Sequence, residues 1–280
     1  MLLSDLPAVL DLVNREGWMY DMVDMERILR IDSECSIVAE TDGQMVGLAT
    51  VIRFGDRGVI GHLVIKEGWR KKGIGDFLLD TIIADMDSKG IGTIELYAAP
   101  HARDYYPRKN FRGIGDVTIY FRESRLDLPK PKKSQNIRTI ELDEIDDILA
   151  MDKPILEVDR RKMIEDIVTH YPDLCLGQFE DGRLTGYALG RSASGICDIG
   201  PWIMGNPTEE NTSSMFIELM TRMGGEPTFM CAPTDNNIAT DLMTKWGFSV
   251  KSVVRRMVRT KQDIKPFTGE VMAVAALEFA

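Results

Sequence analysis

Apolar residues recur at helical spacing near the start of the chain. Leu6, Val9, Leu10 and Val13 share one face, Ser4 is the expected N-cap, and Pro7 sits in the first turn, where its missing N–H is tolerated. After Gly17, Met22, Met25, Ile28 and Leu29 mark a second helix. The period then shortens to that of strands. Residues 36–40 and 45–52 flank Asp42-Gly43, a pair suited to the positive-φ positions of a two-residue hairpin turn, and residues 59–65 make a third strand. Phe77, Leu78, Ile82, Ile83 and Met86 predict a helix closed by Lys89-Gly90, and residues 94–98 predict the next strand. The order is that of an α+β domain.

A second run of elements follows residues 128–135, a proline- and lysine-rich stretch without apolar periodicity that reads as a linker. A strand over 136–140 opens it. Leu142, Ile145, Ile148 and Leu149 form one helix face, and Met163, Ile164, Ile167 and Val168 form another. With 280 residues the chain accommodates two domains, expected at 1–127 and 136–280.

Composition narrows the function classes. Apolar content of 44% and charged content of 28% are ordinary for a folded protein. No apolar run reaches the roughly 18 residues that span a bilayer, and no basic leader precedes an apolar core. The expectation is a cytoplasmic protein with no membrane partner. A formal charge of −10 disfavours nucleic acid as a partner. Cys35, Cys175, Cys197 and Cys231 lie far apart with no C-x-x-C pair, so they read as buried thiols, with neither a disulfide framework nor a metal site expected.

The chemistry concentrates between residues 63 and 79. An apolar strand ending in Leu63, Val64 and Ile65 gives way to Arg70-Lys71-Lys72-Gly73-Ile74-Gly75, and a helix begins there. Glycines at 73 and 75 allow a tight turn and close approach of backbone N–H groups to phosphate oxygens. The spacing fits neither a Walker loop nor a dinucleotide fingerprint. It resembles the R-x-x-G-x-G pyrophosphate signature of the GNAT (GCN5-related) N-acetyltransferases. Residues 102–111, with Tyr105-Tyr106 and Phe111, resemble the family's A-x-x-F-Y-x-x-x-G-F segment. Asn110 replaces the glycine, a mild departure because Asn tolerates the left-handed region. Ala99 stands where many members carry an asparagine.

The second half repeats this grammar. Residues 180–187 mirror 40–47, and residues 236–248 mirror 99–111; Asp42 to Phe111 is 69 residues and Asp181 to Phe248 is 67. The resemblance therefore implies a tandem of two GNAT-like domains, each a mixed, mostly antiparallel sheet flanked by helices. Counting 27 residues from the hairpin glycine, as from Gly43 to Arg70, reaches Glu209 in a stretch without glycines or cations, and Met243 occupies the place of Tyr106. The second copy is expected to be degenerate, serving packing or acceptor recognition.

What the resemblance implies is an N-acetyltransferase. Acetyl-CoA would lie along Leu63 to Ile65 with its pyrophosphate on Arg70 to Gly75, and a small-molecule or amino-acid-like amine would attack it directly. Tyr106 would protonate the departing thiolate; otherwise it is an aromatic packed on the sheet. An alkylamine with a pKa of about 10.4 must first lose a proton. His62 and Glu95 are the candidate bases, each also readable as a structural polar residue on a strand. Trp18 is either a plug between the first two helices or a wall of the acceptor pocket. A CoA-binding sensor without turnover is the alternative function, and a homodimer stays open.

Overall fold

The computed structural model describes residues 1–123, 128–129 and 136–279, so residues 130–135 of the expected linker lie outside the described residues. The first helix, α1 (Leu6–Asn14), buries Leu6, Val9, Leu12 and Val13; its N-cap is Asp5, one residue later than expected. α2 (Met22–Ile31) opens on a capping box in which the Asp24 N–H donates to Asp21 at 3.1 Å and the Asp21 N–H to Asp24 at 3.2 Å. β1 (Ile37–Thr41) and β2 (Gln44–Phe54) form the hairpin, with Asp42 at φ 52 and Gly43 at φ 71. β3 (Arg57–Ile65), α3 (Ile74–Ser88), β4 (Thr93–Ala98) and β5 (Arg112–Arg122) complete the first half.

The second half runs β6 (Ile137–Thr139), α4 (Ile145–Leu156), α5 (Arg161–His170), β7 (Cys175–Glu180), β8 (Arg183–Ala193), β9 (Ile196–Met204), α6 (Glu209–Arg222), β10 (Thr228–Pro233), α7 (Asn237–Lys245), β11 (Ser249–Thr260) and β12 (Val271–Ala273). Leu142, expected on a helix face, lies in a 3-10 turn and is 58% exposed. The four apolar residues expected on the next helix, Met163, Ile164, Ile167 and Val168, are all buried.

Among the described residues the strands join into one sheet, in the order β1-β2-β3-β4-β11-β5-β10-β9-β8-β7-β6, with β12 paired to β9. The centre of that order is an exchange. β11, from the second half, pairs antiparallel with β4 of the first half, while β5 of the first half pairs with β10 of the second. The two exchanged strands also pair with each other. A buried ion pair marks the seam: Arg256 of β11 donates two hydrogen bonds to Glu95 of β4, at 2.6 and 3.0 Å.

Three apolar layers cover the sheet. Leu6, Val9, Met25 and Ile28 pack on Leu48, Ile52, Val59 and Val64, in a cluster that continues into Ile148, Ile164 and Ile167 of the second half. On the opposite face Leu78, Leu79, Ile82 and Met86 of α3 cover Val51, Ile60, Ile94 and Leu96. Met215, Phe216, Leu219, Leu242 and Met243 cover Leu176, Ile199 and Trp202 in the second half. Each fully buried side chain of this size contributes about 1.5–3 kcal/mol, so the cluster shared between the halves ties them together.

Candidate active site

The sheet opens between β3 and β4. Their parallel pairing runs from Arg57↔Thr93 to Ile60↔Leu96 and stops, although β3 continues to Ile65 and β4 to Ala98. At the end of the paired region β3 bulges: Ala49 pairs with Leu63 and Val51 with Ile60, so Gly61 and His62 together oppose Thr50. The Thr50 hydroxyl accepts the His62 N–H at 2.9 Å and lies 2.9 Å from His62 Nδ1. From residue 61 onward the β4 side of β3, including Leu63, Val64 and Ile65, has no paired residue on β4. A linear ligand with its own donors and acceptors fits such an unpaired edge.

The loop 66–73 connects β3 to α3. Gly73 is the N-cap of α3 at φ 83, in the left-handed region, and no side chain caps the helix. The amides of Ile74, Gly75 and Asp76 therefore begin the helix without intrahelical acceptors, and the helix dipole adds partial positive charge there. A Cβ at Gly75 would meet only Ile65 Cγ1, at 3.7 Å, so this glycine is not demanded by packing. Arg70 donates from Nε to the Ile65 carbonyl at 2.9 Å, and its Nη2 pairs with Glu16. Lys72 lies over the Trp69 ring at 4.4 Å, and Lys71 is exposed. Asp76 would repel an anion, but Lys109 stands 3.3 Å from it.

The proposed chemical residues fall on both faces of this opening. Tyr106 lies on the α3 side, 9% exposed, between Tyr105 and Phe111 at ring distances of 5.2 and 5.9 Å. Burial pushes its phenol up to about 12, so the hydroxyl keeps its proton at neutral pH. Asn110, closing that turn, has φ 65.

His62 lies on the opposite face, 2% exposed, with Trp18 at 5.5 Å and Tyr20 edge-on at 4.7 Å. Its Nε2 has no hydrogen-bond partner among the described residues. Burial lowers its pKa, against the opposing pull of Glu278. The ring is thus held neutral, as a proton acceptor must be. Trp18 is 37% exposed, and its ring centroid lies 5.5 Å from that of His62.

Glu95 does not join this group. It is fully buried, bound by Arg256, accepts the Tyr97 hydroxyl at 2.9 Å, and has Arg57 3.6 Å away. These partners engage its carboxylate in the exchanged-strand seam.

The corresponding opening in the second half is closed. β9 and β10 pair in parallel from Cys197 to Ile199, as β3 and β4 do, but β12 then lies along β9, and the Val274 N–H donates to the Cys231 carbonyl at 2.8 Å. A Cβ on Gly200 would stand 2.0 Å from the Val274 carbonyl oxygen, so this close approach requires glycine. The loop before α6 has four residues (205–208) where the first half has eight (66–73). Counting therefore misplaces Glu209: it is the first residue of α6, the counterpart of Ile74, and pairs with Lys245 at 2.9 Å. The Thr208 side chain and Asn211 cap this helix, with Glu209 and Glu210 in its first turn.

After β12 the chain returns to the first half. Glu278 packs on Gly61, where an added Cβ would stand 2.6 Å from Glu278 Cβ. Its Oε2 accepts the Tyr20 hydroxyl at 2.9 Å. Sequence reasoning missed Glu278, Tyr20 and Thr50; the 258 residues between Tyr20 and Glu278 carry no periodic signal of their contact.

Both halves of the chain are similar to known acetyltransferases. A GNAT acetyltransferase domain matches residues 13–122 and a second matches 148–273. An uncharacterized N-acetyltransferase of Bacillus subtilis, YitH, is 20% identical over 206 residues, 74% of this chain and 71% of its own. A candidate acetyltransferase structure from Pyrococcus horikoshii superposes with a TM-score of 0.82 at 14% identity, over 99% of this chain and 93% of that one. A tandem GNAT protein from the clavulanic acid biosynthesis pathway superposes with a TM-score of 0.60 at 13% identity, over 85% of this chain and 87% of its own.

Proposed function

Since the chain belongs to the GNAT acetyltransferases through both of its halves, and is therefore an acyltransferase of a family that normally uses acetyl-CoA, we propose that its first half is the catalytic one. The observation that carries this reading is the asymmetry of the two openings. One has an unpaired strand edge, an uncapped helix start and Arg70; the other is filled by β12 and ends at a capped, acidic helix. The second copy is then degenerate for cofactor binding and serves packing and acceptor recognition.

In this reading Gly73, Ile74 and Gly75 present their amides to the pyrophosphate, with Arg70, Lys71 and Lys72 supplying charge. Arg70 exchanges Glu16 for phosphate, a charge-assisted contact of about 1.5–3 kcal/mol. The unpaired edge of Leu63, Val64 and Ile65 holds the pantetheine arm, and an amide of β3 donates to the developing oxyanion, a contribution of about 3 kcal/mol. His62 Nε2 takes a proton from the acceptor ammonium. The neutral nitrogen forms the new N–C bond as the C–S bond breaks. Tyr106 gives its proton to sulfur and regains one from the acylated nitrogen. Trp18 walls the acceptor side. The acceptor is a small-molecule or amino-acid-like amine.

The test is thiol release from acetyl-CoA over a panel of amines, paired with calorimetric binding of acetyl-CoA to ligand-free protein. The reading expects binding, turnover with at least one amine, and loss of both in Arg70→Glu. Absent binding sinks it. Binding without turnover across the panel would leave a CoA sensor.

A further inference from the structure

Two buried groups of opposite charge face each other between the halves with bare polar atoms. Arg27 of α2 is 1% exposed, and none of its three guanidinium nitrogens has a hydrogen-bond partner among the described residues. Glu278 is 3% exposed, and its Oε1 has none either. Arg27 Nη2 and Glu278 Oε1 stand 4.0 Å apart, beyond hydrogen-bond reach. Neighbouring charges are engaged elsewhere. Arg191 of β8 pairs with Asp198 of β9 and, at 3.7 Å, with Asp24 of α2; Asp166 of α5 pairs with Arg30 at 3.0 Å. The Arg27 guanidinium lies 4.3 Å over the Phe279 ring, which covers its face but accepts none of its N–H groups; burial, with Arg191 nearby, lowers Arg27 to about 10 against the pull of Glu278, Asp24 and Asp166.

The pair borders the reacting region. Glu278 rests on Gly61 at the apex of the opening, and Tyr20, which donates to Glu278, packs against His62. Trp18, 37% exposed, packs against the same His62 ring, so the pair is one residue removed from a solvent-facing side chain. An α-amino acid carries its ammonium nitrogen and carboxylate carbon about 2.5 Å apart, a span suited to groups 4.0 Å apart. A simple amine would satisfy only Glu278 and leave Arg27 bare.

We propose that Arg27 and Glu278 form a recognition site for an α-amino acid acceptor. Arg27 binds the carboxylate, and Glu278, held by Tyr20, binds the ammonium and presents it beside His62. The second half thereby supplies a specificity-determining residue to the first. This rests on the acetyl-transfer reading above.

The test titrates the CoA-saturated protein with free α-amino acids, their carboxamides and simple alkylamines, reading both binding and thiol release. At least one amino acid should bind and react at least about 30-fold better than its carboxamide, from the 2 kcal/mol lower bound for unpairing a buried charge. Glu278→Gln should lose amino-acid binding by a similar factor while still binding acetyl-CoA. Carboxamides or alkylamines equal to amino acids, no amino-acid binding at all, or a Glu278→Gln protein with unchanged selectivity would each overturn the site and leave a structural ion pair. The wild-type panel decides the matter even if the variant does not fold. Failure to bind acetyl-CoA would instead overturn the catalytic reading itself.

Discussion

Replacing Glu95 with glutamine separates a structural carboxylate from a catalytic one. Glu95 is fully buried with Arg256 at 2.6 and 3.0 Å and Arg57 at 3.6 Å, and those arginines are 3% and 5% exposed. Burial works against the charge of Arg256, but Glu95 and Tyr97 outweigh it and raise its pKa. Glutamine keeps the shape and removes the charge, leaving two guanidiniums facing a neutral amide. Breaking a buried pair in this way costs about 3–5 kcal/mol. The unfolding entropy, about 2.1 cal/mol/K per residue, amounts to about 0.6 kcal/mol/K for this chain, so Tm should fall by about 5–8 °C. Calorimetric melting and steady-state kinetics below the melting range are the assays. The expected result is a lowered Tm, faster hydrogen exchange in β11, and kcat within a few-fold of wild type. A kcat loss of about 10²-fold or more at unchanged Tm would refute this reasoning and make Glu95 the base.

Tyr106→Phe should lower kcat by about 10²–10⁴-fold, the range for a lost general acid, with acetyl-CoA binding retained by calorimetry; an unchanged kcat removes Tyr106 from the chemistry. His62 has a pKa lowered by burial. The unfolded chain therefore binds a proton near the ordinary value of about 6.5 that the folded chain resists. Stability should fall as pH drops below about 6.5, flatten below the folded pKa, and be independent of His62 at higher pH. Denaturant melts of wild type and His62→Gln at several pH values check this, and identical acid limbs would contradict it. Gly61→Ala introduces a Cβ 2.6 Å from Glu278 Cβ and 2.7 Å from Thr50 Oγ1. It should cost about 1–3 kcal/mol and speed hydrogen exchange at residues 274–279; unaltered exchange there would mean the bulge yields instead.

Local order in the sequence carried local structure. Asp42-Gly43 encodes the β1–β2 turn because both residues tolerate positive φ, and Gly73 begins α3 for the same reason. The face formed by Met163, Ile164, Ile167 and Val168 was legible because helical periodicity records burial directly. The strand exchange was not legible. The neighbours of β5 and β11 are set by contacts such as Arg256 with Glu95, 161 residues apart. For the same reason the sequence left Glu95 open between a base and a structural polar residue on a strand. The motif at Arg70 to Gly75 is contiguous and could be read in place, whereas the cluster around His62 is assembled from Tyr20, Thr50, His62 and Glu278, which meet only in the folded chain. The filling of the second opening was equally hidden, because β12 is only three residues long and pairs far from its neighbours in sequence.

The central claim is a single cofactor site, in the first half. Its most direct test is the stoichiometry of acetyl-CoA binding by isothermal titration of ligand-free protein, for wild type and Arg70→Glu. The expected result is one equivalent per chain, lost in the variant. Two equivalents per chain, or one that persists in Arg70→Glu with unchanged affinity, would contradict it.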